Sequence, residues 1–541
     1  MNRRRRFIPV AVVGSVGLAL MPAVAQAATT PNPDLGIVLS ETSSGAFGVT
    51  VVATVTGLNT SGVVGIDCGT EATSAGTSVN LPVTAASNKA SVTCEFNQFG
   101  LTDSISAQVS DQAGDGASAT LAGVRPAGAA FADYGPERIL DTRSGKGVAA
   151  GAVASGGTLK LKVVGLGNPG NPIPSGITAV ALNVTAVSPS ANGYLSVYGN
   201  ENQAGTPLTK PATSNLNFQA GQNVANLVVV PVGKDGTVDF YNSSKGSTQI
   251  VADIEGFFTT SSQPVENVAL SGYTPITPVR MVDTRKGTGT GGKIAQIPAD
   301  GTLVVQMAGV DGIGAASSVA LHITAVGGTR NGVISAFPGN PDAVVNAATY
   351  GVSDVNYSAG QTASNTAFVT TSAEAQNGNP TGSVTFYNSG SGPVDLIVDA
   401  VGYYGYTQPA PGGASAYVPL ESPARVVDTR TKDAPLTSGV PTDVTGTSDA
   451  SETAAVYNAT IVAPTGNGYL SVFPFNPGDP AAVPTTSSLN YLTGQTVPNL
   501  VVAAPGTALD AKTGTYGIGA YLGGKGTAQL VLDEFGYFAN D

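Results

Sequence analysis

The sequence predicts an all-β protein: one small immunoglobulin-like domain and then three homologous β-sandwiches, strung as tandem beads. Three observations carry that prediction. Charged residues make up only 11% of the 541, Trp is absent, and Gly alone fills 70 positions. Helix formers such as Leu, Glu, Lys and Arg are scarce, while small and β-branched residues abound, which suits pleated strands joined by Gly-rich turns. Short runs of alternating apolar residues recur between Gly, Pro, Asn and Ser clusters, and no stretch shows a helical period.

The chain opens with Arg3 to Arg6, a short apolar run from Ile8 to Leu20, and the small-residue site Ala25-Gln26-Ala27. Residues 1–27 therefore read as a secretory signal peptide, the apolar run being too short to span a bilayer. Twin-arginine and general export both remain open. The leader carries four Arg and no acid, so its removal takes the net charge from −12 to −16. Such a surface disfavours nucleic acid and anionic membranes as partners. No later run has the length of a membrane helix, and no wall-sorting or lipid-anchor signal precedes Asp541. The expected location is extracellular, with at most non-covalent association with a cell surface.

Residues 28–125 read as the small domain. Cys68 and Cys94 are the two cysteines of the chain. In an exported protein an isolated pair is most simply one disulfide. The run Ala90-Ser91-Val92-Thr93-Cys94-Glu95-Phe96, then Gly100, Ile105 to Val109 and Ser110 to Gly116, resembles a polycystic-kidney-disease-type or related immunoglobulin-like domain. Gly65-Ile66-Asp67-Cys68-Gly69 stands where that family has a Trp-Asp-Phe-Gly strand. The resemblance implies a spacer or weak binding module. Asp111 and Asp115, in a Gly-rich turn, leave a calcium ion open, although the full spaced-ligand loop is missing.

The rest divides into repeats at 126–259, 272–405 and 416–541. Each opens with Tyr-x-Pro: Tyr134-Gly135-Pro136, Tyr273-Thr274-Pro275 and Tyr417-Val418-Pro419. Next come Arg138-Ile139-Leu140-Asp141-Thr142-Arg143, Arg280-Met281-Val282-Asp283-Thr284-Arg285 and Arg425-Val426-Val427-Asp428-Thr429-Arg430. Later landmarks are Asn217, Gly221-Gln222 and Asn226, repeated as Asn356, Gly360-Gln361 and Asn365, and as Asn490, Gly494-Gln495 and Asn499. Each copy closes with an apolar strand holding one Asp (Asp253, Asp399, Asp533) and then Gly-aromatic-aromatic. A period this long marks tandem globular domains, since solenoid repeats run to roughly 20–50 residues. About seven or eight short strands per copy read as a sandwich. The Ser-, Pro- and Gly-rich links 259–272 and 405–416 read as semi-stiff spacers, giving a rod of roughly 150 Å. These landmarks resemble a β-rich repeat of secreted actinobacterial proteins, marked by Leu-Asp-Thr-Arg near its start and Gly-Tyr-Phe at its end. The resemblance implies export and an accessory or surface role, and transfers no activity.

The sharpest constellation is Asp-Thr-Arg. If it continues a strand, Ile139, Asp141 and Arg143 share one face. Buried charges must be paired. Structural ion pairs are therefore expected among Asp141, Arg143 and Asp253, among Asp283, Arg285 and Asp399, and among Asp428, Arg430 and Asp533. Arg143 with Asp253, and its counterparts, would tie the first strand of each copy to the last. The competing reading is a ligand or cation site. Asn183, Asn217 and Asn226 recur as Asn458, Asn490 and Asn499; they satisfy turn backbone groups or contact a sugar. His322, the sole His, replaces that first Asn in the middle copy and reads as a core or interface residue. Tyr194 and Tyr469 are candidate ligand-contact aromatics, while Tyr134, Tyr273 and Tyr417 read as caps on the sandwich ends. No pattern points to a catalytic residue, a cofactor or a metal. The expected function is a secreted structural or adhesive protein without catalysis, acting by self-assembly or on a cell-wall or surface glycan. A dedicated glycan- or cell-wall-binding protein is the second reading, and a carboxylate-based hydrolase the third.

Overall fold

The computed structural model describes residues 32–44, 47–69, 79–96, 103–124, 126–260, 270–339, 351–373, 381–405, 413–479, 483 and 485–540; the expected signal peptide lies outside them. The described chain is β-strand and loop with a single 3-10 turn at Thr429–Lys432, and no helix in it is long and apolar enough to cross a membrane.

The N-terminal domain is a sandwich of two antiparallel sheets. One holds Gly36–Ser44, Gly48–Thr56 and Lys89–Glu95; the other holds Val79–Thr84, Ser61–Asp67, Asp103–Asp111 and Gly116–Val124. Alternation builds it: Val49, Val51, Ala53 and Val55 turn inward onto Val64, Ile66 and Ile105. Cys68, just beyond Ser61–Asp67, is bonded to Cys94 on the opposite sheet, so the disulfide ties the two layers together. The Asp111–Asp115 turn spends its carboxylates on the backbone. Asp111 Oδ1 accepts from the N–H groups of Ala113 and Asp115, and Asp115 Oδ2 accepts from that of Asn32.

The three repeats share one topology of two antiparallel sheets. In the first, the outer sheet runs Thr158–Lys162, Thr237–Asn242, Gly193–Gly199, Leu216–Phe218. The inner sheet runs Val224–Pro231, Ile177–Val187, Gln249–Thr259, and then the opening strands Ala130–Ala132 and Glu137–Asp141. The second and third repeats place Thr362–Thr370 and Thr496–Ala503 at the same sheet edge as Val224–Pro231. The long strand Ile177–Val187 is buried along nearly its whole length. Val180, Leu182 and Val184 face the interior of their own sandwich, while Ala179 and Ala181 face outward into a second core.

That second core belongs to all three repeats. It joins Phe131, Phe258, Leu227 and Val229 with Tyr273, Tyr404, Phe368 and Val401, and with Tyr417, Phe538, Leu500 and Phe535. Six of its rings close a circle. Phe131 stacks on Tyr404 at 4.1 Å, Tyr273 on Phe538 at 4.3 Å, and Tyr417 meets Phe258 at 4.5 Å. The opening segments close a second circle by backbone pairing: Ala129 with Tyr417, Phe131 with Ser271, and Tyr273 with Ser415. The Gly of each Gly-aromatic-aromatic landmark makes room for this. A Cβ on Gly256 would lie 2.2 Å from the Phe131 ring, and one on Gly402 would lie 2.1 Å from the Tyr273 hydroxyl.

Tandem sandwiches are therefore what the chain builds, but their arrangement corrects the bead-and-rod expectation. The repeats close on one pseudo-three-fold axis, because each carries an apolar outward face that only a neighbour covers. The described end of the first link is likewise no spacer: Leu270–Ser271 is a strand paired to Ala130–Ala132. Tyr273 and Tyr417 lie fully buried on the axis and are not end caps. Their counterpart is Phe131, since each of the three faces the closing-strand aromatic of its own repeat. Tyr134 sits out of that register, its hydroxyl donating to Asn171 O at 2.9 Å and accepting from Asn168 N at 2.7 Å.

Candidate functional site

The recurring charges form a ladder in each repeat. Asp253 takes a two-pronged bond from Arg138, at 2.8 and 3.0 Å, whereas Arg143 folds back onto Asp141, at 2.9 and 2.7 Å. The second repeat repeats this with Arg280 on Asp399 and Arg285 on Asp283. The third has Arg425 on Asp533 and Arg430 on Asp428. The expected pairing of Arg143 with Asp253 is thus corrected. The strand ends at Asp141, the chain turns, and Arg143 N itself bonds Asp141 Oδ1, so its guanidinium closes back onto Asp141 and not onto Asp253. The leading Arg of the motif does the tying instead; its threefold recurrence beside the Asp was the available signal. The middle Thr completes the stitch, Thr142 Oγ1 accepting from Ile250 N and Thr284 Oγ1 from Leu396 N.

The ladder also reaches across the interfaces. Asp253 Oδ2 accepts from Ser353 N of the second repeat, and Asp399 Oδ2 from Ser487 N of the third. Burial raises both carboxyls above their ordinary range even against their Arg partners, while Arg143 holds Asp141 below it.

The recurring Asn residues form the next layer along the axis. Leu227 N donates to Asn365 Oδ1, Thr366 N to Asn499 Oδ1, and Leu500 N to Asn226 Oδ1, at 3.0 to 3.1 Å. Each repeat thus covers the bare edge strand of another, which is where a sheet otherwise invites unwanted pairing. Asn183 Nδ2 donates to Ser353 O and Asn458 Nδ2 to Ser214 O, again between repeats. His322 breaks the pattern. It is buried and bonds Thr366 Oγ1 of its own repeat at 2.7 Å, and burial lowers its pKa to about 4.

One interface carries a pair with no counterpart. Glu255 accepts from Phe368 N of the second repeat and lies against Asp354, which accepts from Ala336 N. Burial raises both carboxyls, Asp354 to about 7; the neighbouring Asp354 raises Glu255 further, and Asp253 raises Asp354. Neither residue recurs in the sister copies, so the repeat pattern offered no signal for them.

Beyond the Asn layer the axis opens into a pocket of about 390 Å³. Equivalent positions of all three repeats line it: Asn217, Asn356 and Asn490, and Gln222, Gln361 and Gln495. Among the described residues no charged side chain lines it. Each Gln caps its own turn, its Oε1 accepting from Gln219 N, Ser358 N or Leu492 N at 2.8 to 3.2 Å. Gly221, Gly360 and Gly494 hold those turns at φ of 73 to 76°. Tyr194 stands on the wall, whereas Tyr469 lies over Gly523 and faces Tyr521 at 6.4 Å, away from the pocket. Among the described residues no three His, Cys, Asp or Glu gather as a metal site.

No family model matches the chain, and no curated protein matches it. Among solved structures it shows a likeness to the CBM22-1–CBM22-2 tandem domain of Xyn10C from Paenibacillus barcinonensis. That likeness has 11% identity and a TM-score of 0.16, over 50% of this chain and all of the other. A tetra-tandem repeat from the extending region of a large adhesion protein is similar at 10% identity and a TM-score of 0.12, over 87% of this chain and 99% of that one. At such TM-scores neither likeness carries an argument.

Proposed function

We propose that this is an exported, non-catalytic adhesive protein whose three repeats act as one head. The observation that carries this reading is the polarity of the axis. Both the opening segment at Ala129 and the closing strand at Ala539 lie at the aromatic end, while the edge strands Val224–Pro231, Thr362–Thr370 and Thr496–Ala503 start at the open, amide-lined end. The N-terminal domain therefore joins the head at one end and leaves the other free to meet a partner. The recurring Asp and Arg residues support a non-catalytic role, because they are spent on one another and on the repeat interfaces.

A glycan-bearing surface is the partner this reading favours, since the pocket at the free end is lined by carboxamides and, among the described residues, by no charged side chain. Mature protein mixed with purified actinobacterial cell wall should co-sediment and release no soluble sugar. Soluble sugar release would establish the hydrolase. Ordered lattices or filaments without wall retention would favour self-assembly over wall adhesion.

A further inference from the structure

We infer that the axial pocket is a binding site for a neutral, hydroxyl-rich ligand, the terminal residues of an uncharged polysaccharide. This rests on the adhesive reading above and gives it a site and a ligand class.

Four observations point there together. The first is charge. Burying an ion demands a countercharge, and among the described residues this pocket holds none, so carboxylates, phosphates and ammonium groups are poor occupants. The second is the donor inventory. With Oε1 of Gln222, Gln361 and Gln495 committed to their turns, each NH2 is left without a protein acceptor among the described residues. Hydroxyl oxygens are suitable acceptors for these donors, and hydroxyl protons suit the remaining amide oxygens. The third is an unmet group. Asn356 Nδ2 is buried on the pocket wall with no hydrogen-bond partner, while its counterparts Asn217 and Asn490 reach Ser214 Oγ and Ser487 Oγ at 3.3 and 3.5 Å. A buried donor without a partner is costly, and because Asn356 lines the pocket a rotation of its amide would bring Nδ2 within reach of a ligand hydroxyl. The fourth is Tyr194, whose ring supplies one apolar wall for the face of a sugar ring.

The geometry is held before any ligand arrives. Three copies of one capped turn form the rim. Ala220 N, Ala359 N and Thr493 N are each pinned by Asn192, Asn331 or Asn467 at 2.9 Å. Prior ordering of this kind lowers the entropic cost of binding. The volume also lies within the roughly 300–1,000 Å³ usual for small-ligand sites.

The test uses the full mature chain. An array of neutral oligosaccharides (N-acetylglucosamine oligomers, glucans, mannans, arabinans and galactans) is screened beside heparin and teichoic acid, and hits are titrated by calorimetry. At least one neutral sugar should bind in preference to the polyanions. Asn356→Leu removes an amide whose Nδ2 has no protein partner, and Tyr194→Ala removes the apolar wall. Each should weaken the hit at least tenfold while the melting temperature of Asn356→Leu stays near that of the parent. Unchanged affinity in both variants would place the sugar elsewhere and overturn the pocket, with wall adhesion intact. Preference for the polyanions, or no neutral sugar bound at millimolar concentration, would overturn the ligand class. Loss of wall co-sedimentation in the parent protein would remove the adhesive reading itself.

Discussion

The N-terminal domain and a single repeat are both antiparallel two-sheet sandwiches, yet they are stabilised by different means. The small domain keeps nearly all its buried apolar residues in one core, closed by a bond between its two sheets, and lends Phe47 to the core of the first repeat. A repeat has no disulfide and divides its apolar residues between two cores, of which one is completed only by its sisters. Strand composition alone does not separate the two cases. What differs is the face turned away from the sandwich interior: mixed and partly exposed in Ser61–Asp67, buried in Ile177–Val187.

The sharpest way to break that comparison is to cut the molecule. Residues 126–259 alone should lack a cooperative melt, because Phe131, Leu227, Val229 and Phe258 lose their partners. Residues 28–125 alone, oxidised, should melt cooperatively in calorimetry. A cooperative melt of the lone repeat would mean that the shared core contributes little.

Next in size is the ion ladder. Asp253→Ala in the full chain should cost about 3–5 kcal/mol, since it strands Arg138 and frees Ser353 N. Adding Arg138→Ala should cost clearly less than the sum of the two single changes, whereas adding Arg143→Ala should be near additive. Denaturant melts of the three single and two double variants distinguish these outcomes, and coupling to Arg143 in place of Arg138 would contradict the ladder.

Reduction of Cys68–Cys94, which are 26 residues apart in sequence, should destabilise the small domain by roughly 3 kcal/mol and leave the transition of the head in place. A shift of both transitions would show that the two regions unfold together.

The smallest effect is the pH response of the head. The pKa of His322 is lowered by burial, so its contribution to stability is present above about pH 6.5 and is lost as the pH falls toward 4. Glu255 and Asp354 are raised by burial, Glu255 also by Asp354, and both by Asp253, so their contribution is present at acid pH and is lost as the pH rises toward 7 and above. His322→Asn should therefore flatten the acid side of a plot of melting temperature against pH, and Glu255→Gln the neutral-to-alkaline side. If each variant moved the curve equally at all pH values, titration of these groups would not be the cause.

Much of the fold and part of the site were legible in the residues themselves. Recurrence located the charges, the amides and the closing Gly, and the isolated cysteine pair fits the bond that joins the two sheets. Partner choice was not legible. Arg138 and Arg143 are both a short reach from a strand carrying Asp253, and only the turn after Asp141 decides which one arrives. Likewise Asn217 and Gln222 were visible as landmarks, but a pocket made from three distant copies exists only once the copies meet.

The sequence by itself determined the strands and the threefold repetition, because alternation, turn residues and repeated motifs are local properties of the chain. Tertiary structure alone decided that the repeats close into a head. A strand's period of two says that Val180, Leu182 and Val184 face one way and Ala179, Ala181 and Asn183 the other. It does not say whether the second, smaller and more polar face meets water or a neighbour. Small side chains with satisfiable amides fit either surrounding, and here the shared aromatic core and the Asn layer assign that face to a neighbour.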